Sequence, residues 1–404
     1  MEPVEVLRRG ARNGLTEGPA GTDASAHWSG TSGPVSLPIP TLAASPLPAF
    51  HSRLQMAPPI RTRLLDWYDR ARRDLPWRRT KDPWAIWVSE VMLQQTRVEA
   101  VRGHFERFLA SYPTPAAFAG ASEDDVLRAW RGLGYYRRAR LLQRGAQAVV
   151  AEHRGVVPRA PGQLAELPGI GAYTQGAIAS IAFGHALPAI DGNVERVVAR
   201  HRGIASDVKR GAGAAQVRGT VEAWLDRGRA GDFNQALMEL GATVCLPRGP
   251  RCAECPIAAD CVARRTHAQA ELPRRAARPR PIAIRTHAVL VDRGGGLVLG
   301  RRIPAGEINE GQVELPGLGI LQDHAQGTDL AAAFRAALGL DVVLGPVLAT
   351  VHHAITRHRI ELTVHGATCR ARARAPLLEA LPEDQKVPWS TTSRKAFARL
   401  GRGP

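Results

Sequence analysis

The chain has no run approaching the ~18 consecutive apolar residues that a membrane-spanning helix needs. Its first residues, MEPVEVLRRGARNG, also lack the apolar core of a secretory signal, so no membrane partner and a cytoplasmic location are the expectation. Acid is scarce: 37 Asp and Glu stand against 54 Lys and Arg, a formal net charge of +17, and nearly all of the excess is arginine. Two readings fit that imbalance, a solvated arginine-rich surface or a polyanion partner whose phosphates the cations neutralise, and charge by itself leaves both open. Cysteine is scarce too. Five in 404 residues do not make a disulfide framework. Four of the five crowd into one short stretch and only Cys369 stands apart, which points to a metal site in a reducing compartment.

A chain of this length exceeds one average domain. Residues 1–55 are rich in Gly, Pro, Ser, Ala and Thr without a sustained period and read as a disordered extension. Met56 immediately precedes the first amphipathic pattern, RTRLLDWYDRAR, so Met56 competes with Met1 as the start. Over 56–270 apolar residues recur at three- and four-residue spacing, broken by Gly and Pro, which predicts a mainly α region. Residues 271–283 form a stiff Pro/Arg linker. Beyond it the period changes: HAVLVDRGGGLVLGRR and VLATVHHAITRHRIELTVHGATCRA each predict a pair of strands, with DLAAAFRAALGL a helix between them. Residues 284–382 are therefore expected to be a separate α+β domain, followed by a polar tail over 383–404.

Cys245, Cys252, Cys255 and Cys261 are spaced C-x6-C-x2-C-x5-C. Four thiolates in so short a loop suit one compact inorganic centre, a 4Fe–4S cluster or zinc, and the presence of only one C-x2-C knuckle favours the cluster. Arg248, Arg251, Arg264 and Arg265 would make the same loop a basic platform for phosphates.

Three further stretches carry chemistry. In LPGIGAYTQGAIASIAFG, Gly169 and Gly171 allow a tight turn that exposes backbone N–H groups at a helix start, a natural phosphate seat. In AIDGNVERVVARH, Asp191 precedes a helix, which makes it an N-cap, and a cap would keep its carboxylate ionised. In PWAIWVSEVMLQQTRVEAV, Glu90 lies among Trp87, Val88, Val91, Met92 and Leu93, where its pKa should rise toward neutrality, as suits a general acid. Gln94 and Arg97 would follow one and two turns on along the same face. A solvent-facing glutamate is the alternative for Glu90. Taken together, Glu90 and Asp191 are expected to have pKa values pushed apart, one acid and one anion.

LPWR, SEVMLQQT, GLGYYRRAR, LPGIGAYT, DGNV, FNQALMELGATVC and the four-cysteine loop, in this order from about residue 60 to 265, resemble the MutY adenine DNA glycosylases of the helix-hairpin-helix superfamily. The resemblance implies a helix-hairpin-helix glycosylase region with an iron–sulfur loop (245–261), one 4Fe–4S cluster, and a monomer acting on double-stranded DNA. It implies that Glu90 protonates N7 of a flipped adenine and Asp191 stabilises the oxocarbenium-like sugar. Tyr173 and Asn193 then complete the catalytic set, and Trp77, Arg78 and Glu239 form parts of the adenine pocket. Gln95 and Tyr135 wedge into the opened stack, as base flipping requires. Adenine opposite 8-oxoguanine or guanine is the implied substrate.

The C-terminal region resembles that family's Nudix-like domain through LVLGRR and VELPGLG. Where a hydrolytic Nudix enzyme carries a glutamate-rich helix, this chain reads AAAFRAALGL, so hydrolysis is not expected. Where the family reads the oxidised base with an aromatic-Ser-His turn, this chain has Ile355-Thr356-Arg357; Thr356 keeps a hydroxyl. Two other readings remain: an endonuclease III-like glycosylase/lyase, which would carry a Schiff-base lysine in place of Tyr173, and a non-catalytic iron–sulfur DNA-binding protein.

Overall fold

The computed structural model describes residues 58–274, 280–324, 327–369, 377–384 and 386–403. The extension expected over 1–55 and the middle of the linker, 275–279, lie outside the described residues.

Between Ile60 and Arg265 every regular element of the described chain is a helix. Its apolar side chains gather into two cores. One holds Trp84, Trp87, Phe108, Phe118 and Trp130, the other Leu64, Tyr68, Val194, Phe233 and Leu240. The helix Pro83–Leu93 starts where Asp82 accepts from the backbone N–H groups of Trp84 (3.2 Å) and Ala85 (3.1 Å), with Pro83 in the first turn. Every residue from Trp84 to Met92 is buried, so this helix has no solvent face and belongs to the interior.

That helix is shorter than the expected helical face, which runs on to Gln94 and Arg97. It stops at Leu93; Gln94 is its C-cap, and Arg97 is the N-cap of the next helix, Val98–Ser111. Gln94 and Arg97 therefore do not continue the face of Glu90. The break lies at Gln95, whose φ of 57° no helix accommodates.

The helices Pro161–Glu166 and Ala172–Ile181 flank the LPGIG turn as a hairpin. Gly169 has φ 83°, and a Cβ there would come within 2.9 Å of the Leu141 side chain, so both the turn and the close approach require glycine.

The α+β region has seven strands among the described residues: β1 (Ile282–Leu290), β2 (Asp292–Gly294), β3 (Leu297–Arg302), β4 (Val313–Glu314), β5 (Val342–Ile355), β6 (His358–Cys369) and β7 (Leu378–Pro382). One sheet runs β1-β6-β5, with β1 parallel to β6 and β5 antiparallel to it; in the other, β3 pairs antiparallel with β2, β4 and β7. Alternate residues of β1 go to different cores, Ala288 and Leu290 to one, Val289 and Val291 just beyond to another. Strand alternation thus buries both faces. Phe334 of the helix Leu330–Leu338 fills one core, and Phe397 of the helix Thr391–Arg399 fills the other.

The last of these corrects the expected polar tail. Residues 391–399 are a helix capped by Ser390, and Val387, Trp389, Ala396 and Phe397 are buried in a core with Val313 and Leu315. Its short apolar set, interrupted by Ser, Arg and Lys, hides this role in the sequence. The region also touches the helical part: Arg302 pairs with Asp124 at 3.0 Å, Arg131 donates to the carbonyl of Val387 at 3.2 Å, and Arg140 donates to the carbonyl of Glu310.

Candidate active site and thiol cluster

A cavity of about 1140 Å³ opens among residues contributed by both helical cores. Glu90 lines it and is 5% exposed; its carboxylate accepts from the Tyr173 hydroxyl, which comes from the second hairpin helix. Burial pushes the Glu90 pKa up to about 7. The Tyr173 bond pulls it down, nearby Asp191 pushes it up, and Arg78 pulls it down. The Tyr173 hydroxyl also lies 3.4 Å from the Met238 sulfur, which closes this side of the cavity.

Asp191 caps the helix Gly192–Arg202. Its carboxylate accepts from the backbone N–H of Asn193 (2.9 Å) and Val194 (2.8 Å) and from Asn193 Nδ2 (2.7 Å). The expected lowering of its pKa is nonetheless not found: burial outweighs these donors and the pKa is raised. Burial is thus the leading cause for both carboxyls, and neither is pushed down. Asn193 Oδ1 accepts in turn from Arg196 Nη2 at 2.8 Å, and Arg196 Nε donates to the Cys245 carbonyl at 2.8 Å. A Cβ on Gly241 would meet Asn193 Cβ at 2.5 Å, so the FNQALMELGATVC helix needs glycine there to approach.

Arg78 and Glu239 also line the cavity, joined at 2.8 Å. A partner that sequence reasoning missed completes them: Arg73 donates from Nε and Nη2 to the two Glu239 oxygens, both at 2.8 Å, and from its backbone N–H at 3.0 Å. Burial raises the Glu239 pKa, but the bonds from Arg73 and Arg78 prevail and hold it at about 2. Trp77 is buried edge-on against Phe105, ring centres 5.6 Å apart, and forms wall and core at once. Gly169, Gly171 and Gln95 reach the same cavity.

Cys245, Cys252, Cys255 and Cys261 line a second, small cavity together with Arg200, whose Nη1 lies 3.4 Å from the Cys245 sulfur. The four thiols share this space, and among the described residues no three His, Cys, Asp or Glu side chains are placed to hold a single metal ion. Burial, reinforced by the neighbouring thiols, pushes Cys255 up to about 12. Cationic charge beside Cys255 would favour its thiolate, and the four-cysteine donor set fits a thiolate-bound centre.

Residues 88–220 match the HhH-GPD superfamily of base excision DNA repair proteins. Curated relatives include an adenine DNA glycosylase of Homo sapiens, 48% identical over 222 residues that cover 53% of this chain and 41% of that one. One of Mycobacterium tuberculosis is 47% identical over 201 residues, covering 48% and 65%. The chain thus spans less than two thirds of the length of these relatives. Among solved structures, a thermostable thymine-DNA glycosylase is 28% identical with a TM-score of 0.48, covering 51% of this chain and 95% of that one.

The HhH-GPD segment contains Glu90, Tyr173, Asp191 and Asn193, whereas Glu239, the four cysteines and the α+β region fall outside it. Tyr135 also lies within it but away from the cavity lining; it is 52% exposed, with φ 49°. Thr356 sits at the turn between β5 and β6, remote in sequence, with φ 50° and its hydroxyl donating to the Ile355 carbonyl at 2.7 Å. Gln95, Tyr135 and Thr356 are thus all non-glycine residues in the left-handed region.

Proposed function

We propose that the chain is an adenine DNA glycosylase of base excision repair that hydrolyses the N-glycosidic bond of adenine opposite 8-oxoguanine or guanine. The observation that carries this reading is Glu90, buried with a pKa of about 7 in the same cavity as Asp191. A carboxylic acid still protonated near neutral pH donates its proton to N7 of the extruded base. The bond between the sugar C1′ and the base then breaks. The positive charge left on the sugar is stabilised by Asp191, kept oriented by its three N–H donors, and water adds to C1′ while its proton passes to a carboxylate. Asn193 fixes Asp191, and Tyr173 fixes Glu90. The names of the relatives, found in human and bacterial chains alike, support adenine as the base.

Gln95 and Tyr135 act as the side chains that fill the gap left by the flipped base, an energetic necessity for chemistry on a stacked base. Their exposed or cavity-facing positions and left-handed backbones support that role. Cys245, Cys252, Cys255 and Cys261 would hold one 4Fe–4S cluster, which when bound supplies a cross-link for the loop and one-electron chemistry. The protein acts as a monomer on double-stranded DNA in the cytoplasm, and its C-terminal Nudix-like region senses the base opposite adenine.

The test is excision by the full chain from duplexes carrying adenine opposite 8-oxoguanine, guanine or thymine. Release of adenine from the first two is expected, with Glu90→Gln keeping duplex affinity while losing ~10²–10⁴ in single-turnover rate. No adenine release from any duplex, or near wild-type rates in Glu90→Gln, would overturn the reading.

A further inference from the structure

Arg138 lies in the helix Arg137–His153, outside the cavity, and its guanidinium holds two separate loops. Nη1 donates to the carbonyls of Val91 (2.7 Å), Met92 (3.0 Å) and Gln94. Nη2 donates to Thr96 Oγ1, the Leu133 carbonyl and the Gly134 carbonyl, each at 3.1 Å. None of these acceptors is a carboxylate. The first set closes the C-terminus of the Glu90 helix, which has no basic residue of its own in its last turn. A cation there satisfies carbonyls the helix leaves without partners and complements its dipole.

Two of the acceptors matter most. The Gln94 carbonyl belongs to the peptide unit leading into Gln95, and the Gly134 carbonyl to the unit leading into Tyr135. Those residues have φ 57° and 49°, a conformation that persists only where its surroundings over-determine it. The same guanidinium lies 5.6 Å from the Tyr135 ring centre and 5.6 Å from that of Trp130. Burial brings its pKa down to about 10, so it keeps its charge at neutral pH.

We propose that Arg138 is a positioning residue that fixes Gln95 and Tyr135 relative to each other, so that both side chains enter the base stack as one unit. The inference rests on the reading of those two residues as wedges. Arginine is needed because its planar fork addresses both loops at once, whereas the single ammonium of lysine cannot span the two acceptor sets.

The experiment follows base flipping directly, by the fluorescence of 2-aminopurine opposite guanine in a duplex bound to the full chain. Arg138→Lys is expected to keep the melting temperature close to wild type and to bind a duplex containing an abasic site, which needs no flipping, with unchanged affinity. Its flipping equilibrium should fall by roughly tenfold, and Tyr135→Ala combined with it should be no worse than the poorer single variant, as coupled residues behave. Wild-type flipping in Arg138→Lys, or losses that multiply in the double variant, would overturn the proposal. Where Arg138→Lys proves too unstable to purify, Thr96→Val serves instead. It removes one acceptor on the Gln95 side, and unchanged flipping there also overturns it. Normal flipping in both Tyr135→Ala and Gln95→Ala would sink the wedge reading itself, and this inference with it.

Discussion

The Tyr173 hydroxyl donates to the Glu90 carboxylate, joining the hairpin helix to the buried helix that carries the proposed acid. A donor favours the ionised carboxyl, so this bond opposes the burial that raises the Glu90 pKa. The relationship sets a pH dependence whose sign is fixed. Glu90 must be protonated to donate, so single-turnover excision should fall as pH rises through about 7. Tyr173→Phe removes the contribution that lowers the pKa, and its alkaline limb should lie at higher pH than that of the wild type. A limb displaced downward would contradict the assignment.

Glu239 gives a second, purely energetic prediction. Its folded pKa, about 2, lies below the ordinary 4.5, so its contribution to stability is present above pH 4.5 and is lost as pH falls toward 2. Glu239→Ala leaves Arg73 and Arg78 without their common counter-charge. It should cost ~3–5 kcal/mol at pH 7, as breaking a buried pair does. Urea unfolding of both proteins across the acid range should show the difference shrinking toward pH 2.

Adenine should be released without strand cleavage. Position 173 carries a phenol, and the lysine at the cavity, Lys209, is exposed and lies 3.3 Å from Glu195. High-yield trapping of a covalent protein–DNA adduct by borohydride would instead favour the lyase reading.

Purified protein should be brown and contain about four iron atoms without stoichiometric zinc, because four thiols around one small cavity suit a cluster. Cys252→Ser should weaken folding or DNA affinity more than the rate per bound complex. Elemental analysis giving one zinc and no iron would reverse this assignment.

Thr356 occupies a left-handed turn position that favours glycine. Thr356→Gly should therefore raise the melting temperature, by relief of ~1 kcal/mol of backbone strain. If the hydroxyl contacts the base opposite adenine, the same variant should reduce the preference for 8-oxoguanine over guanine. Competitive single-turnover assays would decide: a stabilised protein with an unchanged preference removes Thr356 from lesion sensing.

Local text made much of this protein legible. Spacing alone places four cysteines within one loop, Asp191 ahead of a helix, and Glu90 in an apolar segment, because each depends on neighbours a few positions away. The change of period after the Pro/Arg stretch separates a helical region from an α+β one for the same reason. What the text could not supply depends on residues far apart in the chain. The helix of Glu90 ends at Leu93 although helix-compatible residues such as Gln94 and Gln95 follow, and the Arg138 guanidinium arrives from another helix to take its last carbonyls. Arg73 meets Glu239 from 166 positions away, and no periodic face marks it among the many arginines around it. The helix Thr391–Arg399 reads as a tail because its few apolar residues gain meaning only against Val313 and Leu315. The pKa of Asp191 shows the division most plainly. Its capping bonds follow from sequence, but the burial that outweighs them exists only once two helical cores close around the cavity.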